Sequence, residues 1–411
     1  MSPNPTIQIE DPFAKKPKPV AKFALFSYGF RPFFLLAGVL GALSVPMWVG
    51  LFAGHVDMGL VASPVLWHGH EMLFGYAVVA IAGFLLTVVP NWTDAKVSKG
   101  PVLIILTVLW LLGRVAFWAQ GVLPYGLVIA ADLLFLIGLI SVVIRPLINP
   151  QYRRQLAFVV ILMILLIANV MTHMGVLGLE TFDLDWGAHG LSLGLDAVIL
   201  LITILGGRVI PSFTSSYLGH GNPNIRVLQR PKLDRAVILA TCSLLVVDQV
   251  LPGTAVAGAV ALIAAILHGA RLTGWQGHRT LGNPIVWVLH LGYVWLVVGL
   301  ALKGLGDFAL IPASDALHAL TIGAVGTITL GVMTRAALGH TGRGIKAAPL
   351  IVASYVLVSI SALLRLAVPL LSDLSAELVM ASGLAWTLAY VAFVIVYAPI
   401  LILARIDGRP G

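Results

Sequence analysis

The amino-acid sequence predicts an all-α polytopic membrane protein of twelve transmembrane helices, arranged as three pseudo-repeats of four. Three observations carry this. The chain is 59% hydrophobic and only 10% charged, its mean hydropathy is +1.00, and apolar windows of about 20 residues follow one another with short connections. A composition of this kind does not make a soluble globule.

Taken in order, the windows predict spans at 33–53, 66–89, 102–119, 123–144, 155–177, 188–210, 236–251, 254–272, 285–302, 317–337, 350–370 and 378–404. Residues 1–32 read as a cytosolic N-terminal tail, 33–404 as a single transmembrane domain and 405–411 as a cytosolic C-terminal tail. The first 22 residues are polar and carry no apolar core, so they are not expected to be a signal peptide. Spans seven and eight are short and separated only by Pro252 and Gly253, which predicts a tight hairpin. The single cysteine, Cys242, excludes a disulfide framework, a c-type haem attachment motif and a cysteine-ligated iron–sulfur cluster.

With the N-terminus inside, 22 of the 25 Lys and Arg residues fall on the cytoplasmic side. Glu180, Asp183, Asp185, Asp307, Asp315, Asp373 and Glu377 all fall outside. This is the positive-inside pattern, and it predicts a multi-pass protein with both termini cytoplasmic. The net charge of +8 is then accounted for by the bilayer and requires no nucleic-acid partner.

Ionisable side chains inside the membrane are costly, and they mark candidate sites. The run WHGHEMLFGYAVVAIAGFLLTVVPNWT (67–93) places His68, His70 and Glu71 at the mouth of span two. His173, His189 and His318 lie near the outer ends of spans five, six and ten, whereas His220, His278 and His340 fall in cytoplasmic loops. His68 is followed 22 residues later by Pro90, His189 by Pro211 and His318 by His340. These matches, each four spans from the next, predict pseudo-repeats at about 33–150, 151–280 and 281–404.

Helical geometry restricts which side chains can share a ligand. At about 100° per residue, His68 and His70 point roughly 200° apart and face two compartments. Asn169 and His173 share a face at i, i+4, as do His189, Ser192 and Asp196 at i, i+3, i+7. Two imidazoles from facing helices can hold a haem iron axially, and three can hold copper. Glu71, Asp196 and Asn169 are candidates to fix the imidazole tautomers, and Glu71 and Asp196 also to handle protons. The competing reading is that the histidines only hydrogen-bond between helices. His290, with Tyr293 and His268, forms either an inner metal site or packing contacts. Arg31, Arg208 and Arg335 grip an anion such as a haem propionate, or only anchor the cytoplasmic ends. Asp132 is intramembrane without an evident partner.

The 67–93 run resembles the signature of the NnrS family of bacterial inner-membrane proteins. So do SYGFRPFFLLAG (27–38), GGRVIPSFT (206–214), WVLHLGYVWL (287–296) and HALTIGAVGTITLGVMTRAALGHTGR (318–343). The resemblance implies a twelve-span protein of the bacterial inner membrane that holds haem b and copper and serves denitrification or nitrosative-stress defence. Tyr28, Arg31, His68, His70, Glu71, His189, Arg208, His290, His318, Arg335 and His340 fall on matching positions. His173 and Asp196 rest on depth and helix face alone. Nitric oxide, small, apolar and a ligand of ferrous haem, is the expected ligand, bound or reduced. With no soluble redox domain, a quinol or a separate protein would supply electrons. A weaker architectural similarity is to the catalytic subunits of haem–copper oxidases and nitric oxide reductases. The alternative is a transporter of a metal ion or small anion that uses the same histidines.

Overall fold

The computed structural model of the chain describes residues 23–179, 185–219, 227–312 and 317–409. The predicted tail up to Lys22, and Glu180, Asp183, His220, Arg226 and Asp315, lie outside the described residues. Twelve long helices make up the described chain: α1 (Phe30–Phe52), α2 (Pro64–Thr93), α3 (Pro101–Trp118), α4 (Tyr125–Leu147), α5 (Leu156–Val176), α6 (Trp186–Gly219), α7 (Pro231–Val250), α8 (Ala255–Thr273), α9 (Pro284–Asp307), α10 (Ala319–His340), α11 (Pro349–Ala367) and α12 (Ser375–Ile402). Eleven are long and apolar enough to cross a membrane. The other, α7, has 20 residues but carries Lys232, Asp234, Arg235 and Asp248, which lower its hydropathy. The chain is an all-α polytopic membrane protein, as its composition predicts.

The helix starts are written locally. Pro64, Pro101, Pro231, Pro284 and Pro349 each occupy the first turn, where the missing N–H costs nothing and the fixed φ already suits a helix. Ser63 caps α2 by accepting from the Leu66 N–H at 3.2 Å, which satisfies one of the free donors at the helix start. Asp94, left-handed at φ 50°, ends α2. Gly253, at φ +66°, makes the α7–α8 hairpin, a conformation that a residue without Cβ adopts freely.

Neighbouring helices pack as antiparallel pairs, α5 on α6, α8 on α9, α3 on α4 and α11 on α12, and α1 closes against α12. The first and last described segments meet on one face of the bundle: Ala24 N–H donates to the Ile402 carbonyl at 2.7 Å. This face is the termini face below, and the opposite one the distal face. In α2, 78% of the most apolar window is buried against 33% in α11, so α2 is an inner helix and α11 a lipid-facing one. At the centre α2, α6 and α10 enclose an apolar chamber of about 80 Å³, walled by Ala80, Phe84, Leu201, Leu205, Val325 and Ile328.

Two stretches wind as π-helix, Glu71–Ala77 in α2 and Ala319–Gly326 in α10. Both follow directly on a histidine, His70 and His318. The wider winding frees carbonyls for other donors, and such segments gather at functional sites. Trp110 Nε1–H donates to the Gly75 carbonyl at 3.2 Å, and the Tyr390 hydroxyl donates to that of Gly326 at 3.4 Å.

Candidate metal centre and ligand cavities

Four consecutive helices build one closed polar cluster. His70 and Glu71 come from α2, Arg114 and Trp118 from one face of α3, Tyr125 and Asp132 from one face of α4, and Asn169 and His173 from one face of α5. The spacings of four and seven residues keep each pair on the same side of its helix. Asp132 stands at the centre. Its Oδ2 lies 3.1 Å from His70 Nε2 and 3.1 Å from His173 Nε2, and accepts from Asn169 Nδ2 at 2.7 Å. Its Oδ1 accepts from the Arg114 guanidinium, which also donates to Glu71 Oε1.

The charged heart of the cluster is buried: His70 and Glu71 are 0% exposed, Asp132, His173 and Arg114 are also buried, and Trp118 and Tyr125 at its edge are half-buried. Two carboxylates therefore share one guanidinium in a dry interior, the arrangement in which loss of one partner is most costly. Backbone shape makes the room. A Cβ on Gly75 would lie 2.9 Å from Arg114 Nη1, and one on Gly113 would lie 3.1 Å from the Asp132 Cα. The remaining groups are placed by aromatics. Phe117 stacks on the His70 ring with 3.7 Å between centroids, Trp118 Nε1–H donates to Glu71 Oε2 at 2.9 Å, and Tyr125 Oη lies 2.9 Å from His173 Nδ1.

Two imidazole nitrogens and one carboxylate oxygen, from His70, His173 and Asp132, lie within 4.8 Å of one another. This donor set can hold copper, zinc or iron. Arg114 fixes one carboxylate oxygen and leaves the other to the imidazoles. With Nε2 bound to a metal, His173 Nδ1–H points at Tyr125, the partner that sets ring orientation.

His68, two residues before His70, faces the other way. It lines a cavity of about 350 Å³ at the distal end, together with Asp196, Asp248, Lys303, Asp307 and His318. The His68 ring stacks on Trp48 with centroids 4.5 Å apart, and its Nδ1 is buried without a hydrogen-bond partner. Lys303 Nζ lies 3.0 Å from Asp248 Oδ1 and 3.2 Å from Asp307 Oδ2. Asp196 is 5% exposed, and its Oδ2 has no partner.

The histidines at the outer ends of the spans are thus divided between sites. His70 and His173 meet in the closed cluster, and His68 and His318 line the open cavity. His189, at the start of α6, turns its Nδ1 to the Asp185 carbonyl at 2.9 Å. His290 lies elsewhere on α9, with its Nε2 2.8 Å from Thr214 Oγ1, while His268 Nδ1 bonds the Tyr293 hydroxyl at 2.7 Å. His290 and His268 thus bond to neighbouring helices, and His189 to the backbone at the start of its own helix. Arg31 donates to the carbonyls of Leu401 at 2.9 Å and Leu403 at 2.7 Å, so it closes the C-terminal end of α12. Arg208 and Arg335 line a cavity at the termini end with His340, roughly 30 Å along α10 from His318 at 1.5 Å per residue. They cannot serve a group held at His68 and His318.

Four members of the closed cluster are absent from the sequence-derived site: Asp132, Arg114, Trp118 and Tyr125. Opposite charges on two adjacent short-looped spans, Arg114 and Asp132, were the available signal.

A family model described as NnrS protein matches residues 24–405, nearly the whole chain. No curated protein matches it.

Proposed function

The chain belongs to the NnrS family, and from that premise we propose that it is a metal-centred membrane protein that handles nitric oxide, by binding or by reduction, in the bacterial inner membrane. The observation that carries the reading is the convergence of His70, His173 and Asp132 in a dry cluster braced by Arg114. Copper fits this donor set of two imidazoles and a carboxylate. For a b-type haem the candidate ligands are His68 and His318, which line one cavity; the His68 Nδ1 there has no hydrogen-bond partner and is available as a ligand atom.

Bound copper or haem would supply one-electron redox chemistry. The protein's own groups do the rest. His70 and His173 present Nε2, and Asp132 presents Oδ2 while Arg114 keeps its Oδ1 in place. Glu71, held between Arg114 and Trp118, balances the guanidinium and fixes the approach of α3. Asp196 Oδ2 can hold a proton beside His68 and His318, where reduction of nitric oxide would consume protons. The central chamber has no charged wall, so an apolar diatomic enters it without shedding strong hydration.

A quinol or a separate protein is the expected electron donor. The transporter reading would place polar groups near the bundle centre, where the walls are apolar.

The test is anaerobic addition of nitric oxide to metal-replete, detergent-purified protein, followed with a nitric oxide electrode and by absorption. The wild type should take up nitric oxide, stoichiometrically without reductant and repeatedly with one if it turns over. Uptake should fall in the H70A/H173A variant, by the share that the His70–His173–Asp132 centre contributes. Equal uptake by wild type and variant would refute the reading.

A further inference from the structure

The cavity at the termini end is not used by the nitric oxide reading. It has a volume of about 430 Å³ and lies among α2, α6 and α10, within the size range of small-molecule sites. Its polar wall consists chiefly of Arg208, Arg335, Asn91, Ser212 and His340, with no carboxylate. Among the described residues neither arginine is in an ion pair. Arg335 does not reach away toward solvent as an anchoring residue would; its guanidinium lies 3.6 Å from the Phe213 ring centroid. The His340 ring is held between Tyr28, at 5.6 Å, and Phe30, at 5.5 Å.

The opposite wall is apolar and continuous with the centre of the bundle. Phe34, Phe84, Leu205, Val209 and Val332 line both this cavity and the central chamber. A site with two uncompensated guanidiniums at its mouth and hydrocarbon in its depth matches a ligand with one anionic and one apolar end. A small inorganic anion would leave the apolar part unfilled, and a neutral hydrocarbon would leave the guanidiniums without a partner.

We propose that this cavity binds an amphiphile whose anionic head, a carboxylate or phosphate, lies between Arg208 and Arg335 and whose apolar body runs past Phe34 and Phe84 toward the central chamber. Membrane lipids and fatty acids have this chemistry, and so does a tetrapyrrole dicarboxylate. The site is separate from both histidine sites.

The experiment uses the full chain, purified in a non-ionic detergent and stripped of lipid, with dodecanoate and dodecanol as probes in native mass spectrometry. Wild-type protein should bind one dodecanoate about tenfold or more tighter than dodecanol, the head groups being the only difference. The R208Q/R335Q variant should lose that preference, and V332W, which fills the shared wall, should bind neither probe. Both variants should keep the monodisperse size-exclusion peak and the thermal midpoint of the wild type, which shows that they fold. Haemin distinguishes the sources. Competition between haemin and dodecanoate that depends on both arginines assigns the site to a tetrapyrrole; haemin binding independent of them assigns it to a lipid. Equal affinity for dodecanoate and dodecanol, or an R208Q/R335Q variant that keeps the preference, would overturn the proposal and leave the arginines as surface anchors. Failure of the nitric oxide test would leave this result untouched.

Discussion

His68 and His70 are two residues apart, yet they open onto regions of opposite character. On the His70 side the carboxylates are fully engaged, Asp132 by two imidazoles, an amide and a guanidinium and Glu71 by Arg114 and Trp118, and only His70 Nδ1 and Arg114 Nε lack a hydrogen-bond partner. On the His68 side the groups are left open, with His68 Nδ1 and Asp196 Oδ2 unpartnered around a cavity of about 350 Å³. A closed cluster can be structural or can exchange a hydrogen bond for a small ion, whereas an open one has room for a larger ligand. The difference teaches that the His-x-His is a divider between two sites and not a chelate.

The most severe way to break the contrast is at Arg114. R114Q leaves Glu71 and Asp132 buried and facing each other without a cation, and is expected to destabilise the protein by roughly 3–5 kcal/mol. Loss of a monodisperse peak in size-exclusion chromatography, or a large fall in the thermal midpoint, would register it. Adding E71Q and D132N removes the orphaned charges and should restore most of the loss; no restoration would mean that Arg114 acts through packing alone.

Next in size is the loss of a proposed ligand. D132N should cut bound metal at least about tenfold, since removal even of outer partners costs about that much, with a smaller change in stability than R114Q. Metal analysis of the purified variants decides it. On the open side, H68A and H318A should alter or abolish haem absorption while leaving metal at His70 and His173 in place. If either variant empties both sites together, the two regions are not independent and the contrast fails.

The smallest effect is expected outside the membrane, at the end of the chain. Arg405 donates to Asp407 at 2.9 and 2.6 Å, and this hydrogen bonding holds the Asp407 carboxyl well below the usual carboxylate range. A depressed carboxylate stabilises the fold above its unfolded pKa, about 4, and that contribution is lost as the pH falls through the folded value. D407N should therefore lower the thermal midpoint slightly at neutral pH, as befits an exposed pair, and the difference from wild type should vanish in strong acid. A difference that persists there would assign the effect to something other than charge.

Much of the fold was legible because membrane helices are specified by local quantities, the length of an apolar window and the proline and glycine at its edges. Pro252 and Gly253 predicted the α7–α8 hairpin that Gly253 makes. Asn169 and His173 were placed on one face by spacing, and both reach Asp132. The opposed directions of His68 and His70 followed from the helix turn and survive the π-helical stretch, which begins at Glu71. What could not be read is the azimuth of one helix about another. His68, His70, His173, His189 and His318 share the outer ends of their spans, but depth does not say which faces meet. Asp132 seemed partnerless for the same reason: Arg114 is 18 residues earlier, His70 62 and His173 41 away in sequence, and only tertiary packing joins them. Arg31 read as a possible anion grip because its carbonyl partners, on α12, lie some 370 residues on.

The most direct test of the central claim is the metal content and electron paramagnetic resonance of protein purified from copper-replete cells, compared with the H70A/H173A variant. The account predicts about one copper per chain, with a Cu(II) signal that carries nitrogen hyperfine structure from two imidazoles, absent from the variant. Wild-type protein without bound metal, or a copper signal unchanged in the variant, would contradict it.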